Sequence, residues 1–275
     1  MVCPLSLVPL FAAFLVTEIS KVPSLTALRV TLFATRSILK ISDLAIQRSI
    51  CHCCGGTWLV RLGRSELGVR CLSCRASAVH MSLAKVVRSR VPSLQTARVH
   101  EFSSRGPFVA FLHHYAGTLS LSEYFDGVTP GEEVEGVRCE DVERISFEAG
   151  KFDLITSTDV FEHVADDQRG FSEVRRVLGE GGQFIFTVPI RLDRSSTVER
   201  AVRGVDGTIT HLLPPEYHGD RLRGSSAVLS FRDYALDIEE RLIRAGFLRV
   251  EIVVPDATLY WGFGRAVIVA SRARQ

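Results

Sequence analysis

The stretch "GKFDLITSTDVFEHVADDQRGFSEVRRVLGEGGQFIFTVP", residues 150–189, decides the fold. Its ends carry short apolar runs, "FDLITS" and "GQFIFTVP", whose length and composition predict strands over 152–157 and 182–189. Between them, Phe171, Val174 and Leu178 recur at spacings of three and four, so one helical face is apolar and the spacing predicts a helix over 166–178. Gly179, Gly181 and Gly182 then end that helix.

Working outward, the same alternation of strand and amphipathic helix begins near residue 97. It predicts strands at 97–102, 118–122, 136–140, 248–254 and 265–271, and helices at 107–115 and 233–245. In the last helix Ile238, Leu242 and Ile243 form the apolar face and Gly246 closes it. This is the pattern of an α/β, Rossmann-like, doubly wound sheet of seven mostly parallel strands with helices on both faces. Ligands of such sheets bind beyond the carboxyl ends of the strands. The polar residues there are Glu101 with "SSRG", Glu123, Asp141 and the segment "STDVFEHV". A single acid at such a place is ordinarily a solvated cap, whereas one at each consecutive strand end points to a binding crevice.

The ordered set within residues 140–189 resembles the central part of class I S-adenosylmethionine-dependent methyltransferases, of the type 11-like group. Its members are Asp141, the turn "ISF", "FDLI", "EHV", and "RVL" followed by glycines and a strand; the likeness extends over about residues 97–272. The resemblance implies S-adenosylmethionine as cofactor and assigns roles residue by residue. Glu101 ends the first strand, and the turn with Ser103, Ser104 and Gly106 would lie against the methionine part. Glu123, with Tyr124 beside it, would accept from both ribose hydroxyls, a task suited to a carboxylate's two oxygens. Asp141 would take the adenine amino group, Val142 would pack on the ring, and Ser157 would offer its backbone to the amino acid end. The family's turn carries glycines where this chain has Ser103, Arg105 and Pro107. The expectation is a remodelled loop that absorbs about 1 to 2 kcal/mol for a non-glycine left-handed residue, against a decayed, non-binding one. Gly106 before Pro107 reads as an N-cap followed by proline at the first helical turn.

Methyl transfer is an in-line displacement in which positioning supplies much of the rate. The resemblance places Asp159 and His163 near the methyl group, with His163 the candidate base; the plainer reading is a capping aspartate and a packing histidine. A second polar cluster, "THLLPPEYHGDRLRG", holds His211, Glu216, Tyr217, His218 and Asp220. It falls where this superfamily inserts acceptor-binding elements, so His211, Glu216, Tyr217 and His218 are candidates for binding a small-molecule or glycan acceptor, with His218 also a catalytic candidate. A second metal site is the alternative reading of this cluster. The rival to an enzyme is a catalytically silent domain serving as a scaffold.

Ahead of the sheet, Cys51 and Cys54 form one C-x2-C and Cys71 and Cys74 a second, separated by 16 residues. This is zinc-ribbon spacing, in which two facing turns complete a tetrahedral sulfur cage. A disulfide pair, a redox motif and unligated thiols are the rivals, and His52 and Cys53 are spare donors. A closed four-sulfur site is structural, and in so short a segment metal binding supplies much of the folding free energy.

The expected organisation is an apolar extension over 1–48, a zinc-ribbon-like module over 49–76, a linking helix over 77–96 and the α/β domain over 97–275. The run "LSLVPLFAAFLV", residues 5–16, is shorter than the roughly 20 residues that cross a bilayer, which leaves a weak membrane-surface contact or a poorly ordered extension. A net charge of +2 gives no electrostatic footprint for nucleic acid, and none is expected as partner. The cysteine pattern points to a cytoplasmic setting.

Overall fold

The structure, a computed structural model, describes residues 43–219 and 227–272. The apolar run 5–16 and Asp220 lie outside these.

The described residues begin with an antiparallel ribbon of β1 (Ala45–Arg48), β2 (Trp58–Arg61) and β3 (Val69–Cys71). β1 falls within the stretch that the sequence assigned to the extension, and its register with β2 (Ala45 opposite Arg61) makes it part of the ribbon. Helix α1 (Ala78–Arg90) follows, started by a capping box in which Ser77 and His80 each accept from the other's backbone N–H. It is buried along most of its length and packs on the sheet.

The main sheet contains β4 (Arg98–Glu101), β5 (Thr118–Glu123), β6 (Glu133–Val134), β7 (Val137–Cys139), β8 (Phe152–Thr158) and β9 (Leu178–Thr187). Helix α2 (Pro107–Tyr115) joins β4 to β5, and α3 (Asp167–Val177) joins β8 to β9. After β9 come six short strands: β10 (Ile190–Arg191), β11 (Val198–Glu199), β12 (Ala201–Arg203), β13 (Ile209–His211), β14 (Tyr217–Gly219) and β15 (Ala227–Leu229). Then β16 (Arg232–Ala235), α4 (Ile238–Arg244), β17 (Arg249–Val253) and β18 (Val267–Ser271) follow to the end of the described residues.

The sheet order is β17-β18-β9-β8-β4-β5-β7-β6. The seven expected strands are all present, and β6 adds a two-residue eighth that pairs back on β7. β4, β5, β7, β8 and β9 run parallel, with β18 antiparallel to β9 and β17 antiparallel to β18. The chain runs outward from β4 through β5 to β7, then returns to the other side of β4 as β8. Strand order therefore reverses between β4 and β8, and their carboxyl ends flank the crevice.

Alternation along the central strands explains the two covered faces. Leu154, Ile185, Val267 and Val269 face a core with α1, α2 and the ribbon cysteines. Ile155, Phe184, Phe186, Ile268 and Ala270 face the opposite core with Phe171, Val174, Ile238 and Leu242 of α3 and α4. α3 stops at Val177 because Leu178 is already extended and pairs with Phe152.

The helix expected over 233–245 begins only at Ile238. Residues 232–235 are instead a strand, parallel to β10 and antiparallel to β11, which buries Tyr234 between those elements and α3. Ile243, assigned to the buried face, is exposed, because the seven-residue helix buries only Ile238 and Leu242.

The ribbon docks on the connection before β18. His52 Nδ1 lies 2.6 Å from the Tyr260 hydroxyl, and the Arg61 guanidinium sits 5.9 Å from the Trp261 ring centre. Arg265, almost fully buried, ion-pairs with Glu66 of the ribbon and with Asp159 beyond β8.

Candidate active site

Glu101 ends β4 opposite Thr156 of β8, with no exposed surface. The Thr156 hydroxyl donates to its Oε2, while Oε1 has no protein partner. Burial pushes this carboxyl up to about 8, opposed by the Thr156 hydroxyl and the nearby Ser103 and reinforced by the Glu123 charge. The Ser104 and Ser157 hydroxyls are also buried without a partner. Three orphaned polar groups thus gather in the crevice between β4 and β8. Each carries a desolvation cost of about 1 to 3 kcal/mol unless something polar meets it, so the donor set fits a zwitterionic ligand end. Glu123, at the end of β5, accepts the Ser104 N–H at 2.6 Å and so ties the turn to the next strand. Tyr124 beside it is exposed. Asp141 accepts the Glu143 N–H at 2.9 Å, which shapes the turn that holds Val142 in the core.

The glycine-poor turn carries no left-handed strain. Among the described residues the positive-φ non-glycines are Arg75, Glu135, Asp159, Tyr260 and Trp261, so Ser103, Ser104 and Arg105 are outside that set. The expected cost of a left-handed residue at the former glycine positions therefore does not arise. Positive φ is concentrated at Gly106 (φ +118°), at the cap of α2, with Pro107 at the first turn. A Cβ there would meet open space, so the requirement is conformational.

Beyond β8 the backbone turns through Asp159, itself at φ +51°. Its Oδ1 accepts from the Thr187 hydroxyl at 2.9 Å and from Arg265 at 3.1 Å, so this carboxylate is committed to holding the turn rather than capping a helix. A single helical turn, Phe161–His163, comes next. Arg232 fixes it by donating to three carbonyl oxygens: Phe161 at 3.3 Å, Val164 at 2.5 Å and Ala165 at 2.8 Å. His163 Nδ1 lies 2.8 Å from the Leu229 carbonyl oxygen. Its ring meets that of His218 edge to face, with centroids 4.9 Å apart. Glu162 lies beside both, 1% exposed, with neither carboxylate oxygen hydrogen-bonded. Burial, aided by the Asp159 charge, holds its carboxyl well above the usual range. Sequence reasoning brought out His163 and His218 but not Glu162 or Arg232; the signal for Glu162 was its place in "EHV".

Residues 81–186 match the methyltransferase domain family. The match runs from α1 into β9. A sarcosine/dimethylglycine N-methyltransferase of Halorhodospira halochloris is 45% identical over 51 residues, which is 18% of this chain and 18% of that protein, so the chain matches under a fifth of that relative's length. Among solved structures, a methyltransferase of Mesorhizobium loti is 19% identical with a TM-score of 0.44, covering 69% of this chain and 96% of its own. DesVI of Streptomyces venezuelae is 12% identical with a TM-score of 0.47, covering 71% and 92%.

The structure keeps some of the expected acceptor residues apart. His211 on β13 and Tyr217 on β14 are exposed. Glu216 is 3.2 Å from Arg200 and 3.5 Å from His218, which places it behind the histidine pair.

In the ribbon, Cys51, Cys54, Cys71 and Cys74 bring their sulfurs within 4.8 Å of one another. Cys51–Cys74 and Cys54–Cys71 are each 3.7 Å apart. A zinc tetrahedron with bonds of about 2.3 Å has edges of roughly 3.8 Å, so the set fits that ion. Matching turns build it: the Gly55 N–H donates to the Cys51 carbonyl at 2.8 Å and the Arg75 N–H to that of Cys71 at 2.9 Å. The spare donors point elsewhere, Cys53 to the His80 carbonyl at 3.4 Å and His52 to Tyr260.

Proposed function

We propose that the protein is an S-adenosylmethionine-dependent methyltransferase acting on a small-molecule acceptor. The observation that supports this reading best is the set of orphaned polar groups of Glu101, Ser104 and Ser157 at the strand-order reversal of a methyltransferase domain. Glu101 would face the ligand's cationic end, and Ser103, Ser104 and Gly106 would line its methionine part. Glu123, with Tyr124, would take the ribose hydroxyls, Asp141 and Val142 would hold the adenine, and the Ser157 backbone would meet the amino acid end. The cofactor supplies the electrophilic methyl group; the protein's task is to align the acceptor with it and exclude water.

At the acceptor side stand Glu162, His163 and His218, a trio in place of His163 acting alone. The β14–β15 hairpin carries His218 and Tyr217 over that side, which suits a polar acceptor. A polar small molecule, with a hydroxylated sugar as one form, fits these donors better than nucleic acid does at a net charge of +2. Zinc in the four-cysteine cage would serve structure, since the cage leaves no open position. Thiolates kept for a metal suit a reducing compartment such as the cytoplasm. Among the described residues no helix is long and apolar enough to cross a membrane.

Calorimetry with S-adenosylmethionine and S-adenosylhomocysteine tests the reading. Micromolar binding of both is expected, while binding of neither by folded, zinc-loaded protein would leave a silent scaffold.

A further inference from the structure

The trio beyond β8 has the makings of a metal centre separate from the cysteine cage. Glu162 is 1% exposed, yet both of its carboxylate oxygens lack any hydrogen-bond donor. A buried carboxylate left this way normally has a cation or a charged hydrogen-bond partner to meet. The nitrogens facing it are His163 Nε2 and His218 Nδ1, each 3.8 Å from Oε1. All three ligand atoms lie within 4.8 Å of one another.

The outer contacts orient both imidazoles. His163 Nδ1 is 2.8 Å from the Leu229 carbonyl, an acceptor only, so Nδ1 carries the proton and Nε2 presents its lone pair. For His218 the roles of the ring nitrogens are exchanged. Nε2 faces Glu216 Oε1 at 3.5 Å, and Arg200 holds Glu216 from behind at 3.2 Å. That leaves Nδ1 turned toward Glu162. Carbonyl and carboxylate partners of this kind are the usual second layer around metal-bound histidines. The backbone is equally fixed: the Phe231 N–H donates to the Glu162 carbonyl at 2.7 Å, and the Ser230 N–H to that of Glu216 at 2.8 Å.

We propose that Glu162, His163 and His218 bind a divalent first-row transition metal, leaving positions open for an oxygen-bearing ligand. Two imidazoles and one carboxylate favour zinc, iron(II), cobalt(II) or manganese(II) over magnesium or calcium, which take oxygen donors. Three protein ligands with vacant positions describe a reactive site rather than a structural one. Ligand atoms on a tetrahedral ion with bonds near 2.1 Å stand roughly 3.4 Å apart, so each histidine closes on Glu162 by a few tenths of an ångström on binding. An acceptor hydroxyl bound in an open position would lose its proton more readily, as metal-bound water does.

Cobalt(II) titrated into the full chain with its cysteine cage already filled by zinc tests this. The expected result is about one cobalt per chain at micromolar affinity, with d–d absorption but without the sulfur-to-metal charge transfer of a thiolate site. His218→Ala, on an exposed hairpin, should weaken cobalt at least tenfold with an unchanged circular dichroism spectrum, and so should Glu162→Gln, which keeps the side chain's shape. Zinc in the cage and S-adenosylhomocysteine affinity should stay as in the unmodified protein. Cobalt bound only at millimolar concentration, a thiolate-type spectrum, or equal affinity in both variants would overturn the proposal. Those outcomes leave the cofactor reading intact, because that reading fails only if S-adenosylhomocysteine does not bind.

Discussion

Replacing Glu101 by glutamine should change the pH dependence of folding in a calculable way. The carboxyl is fully buried and burial raises it from 4.5 to about 8. Between those values the unfolded chain has released the proton while the folded chain keeps it. Stability from this group is therefore present below pH 4.5 and is lost as pH rises toward 8. Linkage over a shift of this size gives a loss of about 3 kcal/mol between pH 5 and pH 8. The glutamine variant keeps an acceptor for the Thr156 hydroxyl but has no proton to lose. Urea denaturation of both proteins at pH 5, 6, 7 and 8 reads the difference, and taking the difference cancels pH effects common to both, such as zinc retention. The variant should gain on the unmodified protein progressively, by about 3 kcal/mol over the range. A stability difference that stays constant from pH 5 to pH 8 would refute the reasoning, since it would mean that Glu101 is ionised throughout.

Further outcomes can be checked at the same crevice and in the ribbon. Glu123→Ala should weaken S-adenosylhomocysteine by about 1.5 to 3 kcal/mol in calorimetry, because it removes the proposed ribose acceptor and the anchor of the Ser104 N–H. Gly106→Ala should cost about 1 to 3 kcal/mol in stability or cofactor affinity, since its φ of +118° suits glycine alone although the space beside it is open. Cys54→Ser should release zinc, measured by elemental analysis, whereas Cys53→Ser should leave the metal in place because its sulfur faces the His80 carbonyl.

The alternating strands and helices were legible because each carries its own pattern: "FDLITS" and "GQFIFTVP" read as strands and became β8 and β9. The cysteine cage was legible for the same reason, its spacing being local. The helix expected over 233–245 failed where a long-range partner decided the matter. Tyr234 and Arg232 are strand residues because β10, β11 and the turn at Phe161–His163 lie against them. No periodicity within the segment encodes those neighbours. Strain in the Ser103–Arg105 turn was misjudged because family position was equated with backbone angle, whereas this chain moves its positive φ to Gly106. Asp159 and His163 were recognisable as chemistry-bearing residues, but their division of labour depends on Arg265 and Leu229, more than 60 residues away.

Arg265 has a wider consequence. One buried guanidinium holds Glu66, in the loop between the second and third ribbon strands, and Asp159, which sets the turn leading to Glu162 and His163. A metal in the cysteine cage would stiffen the ribbon that presents Glu66, whose carbonyl also accepts the Ala78 N–H at 3.2 Å. Occupancy of the cysteine cage and the position of the turn at Asp159 would then be linked, and coupling between binding sites is reciprocal. On the proposed function, loss of zinc would lower activity gradually, and a bound cofactor would in turn slow escape of the metal.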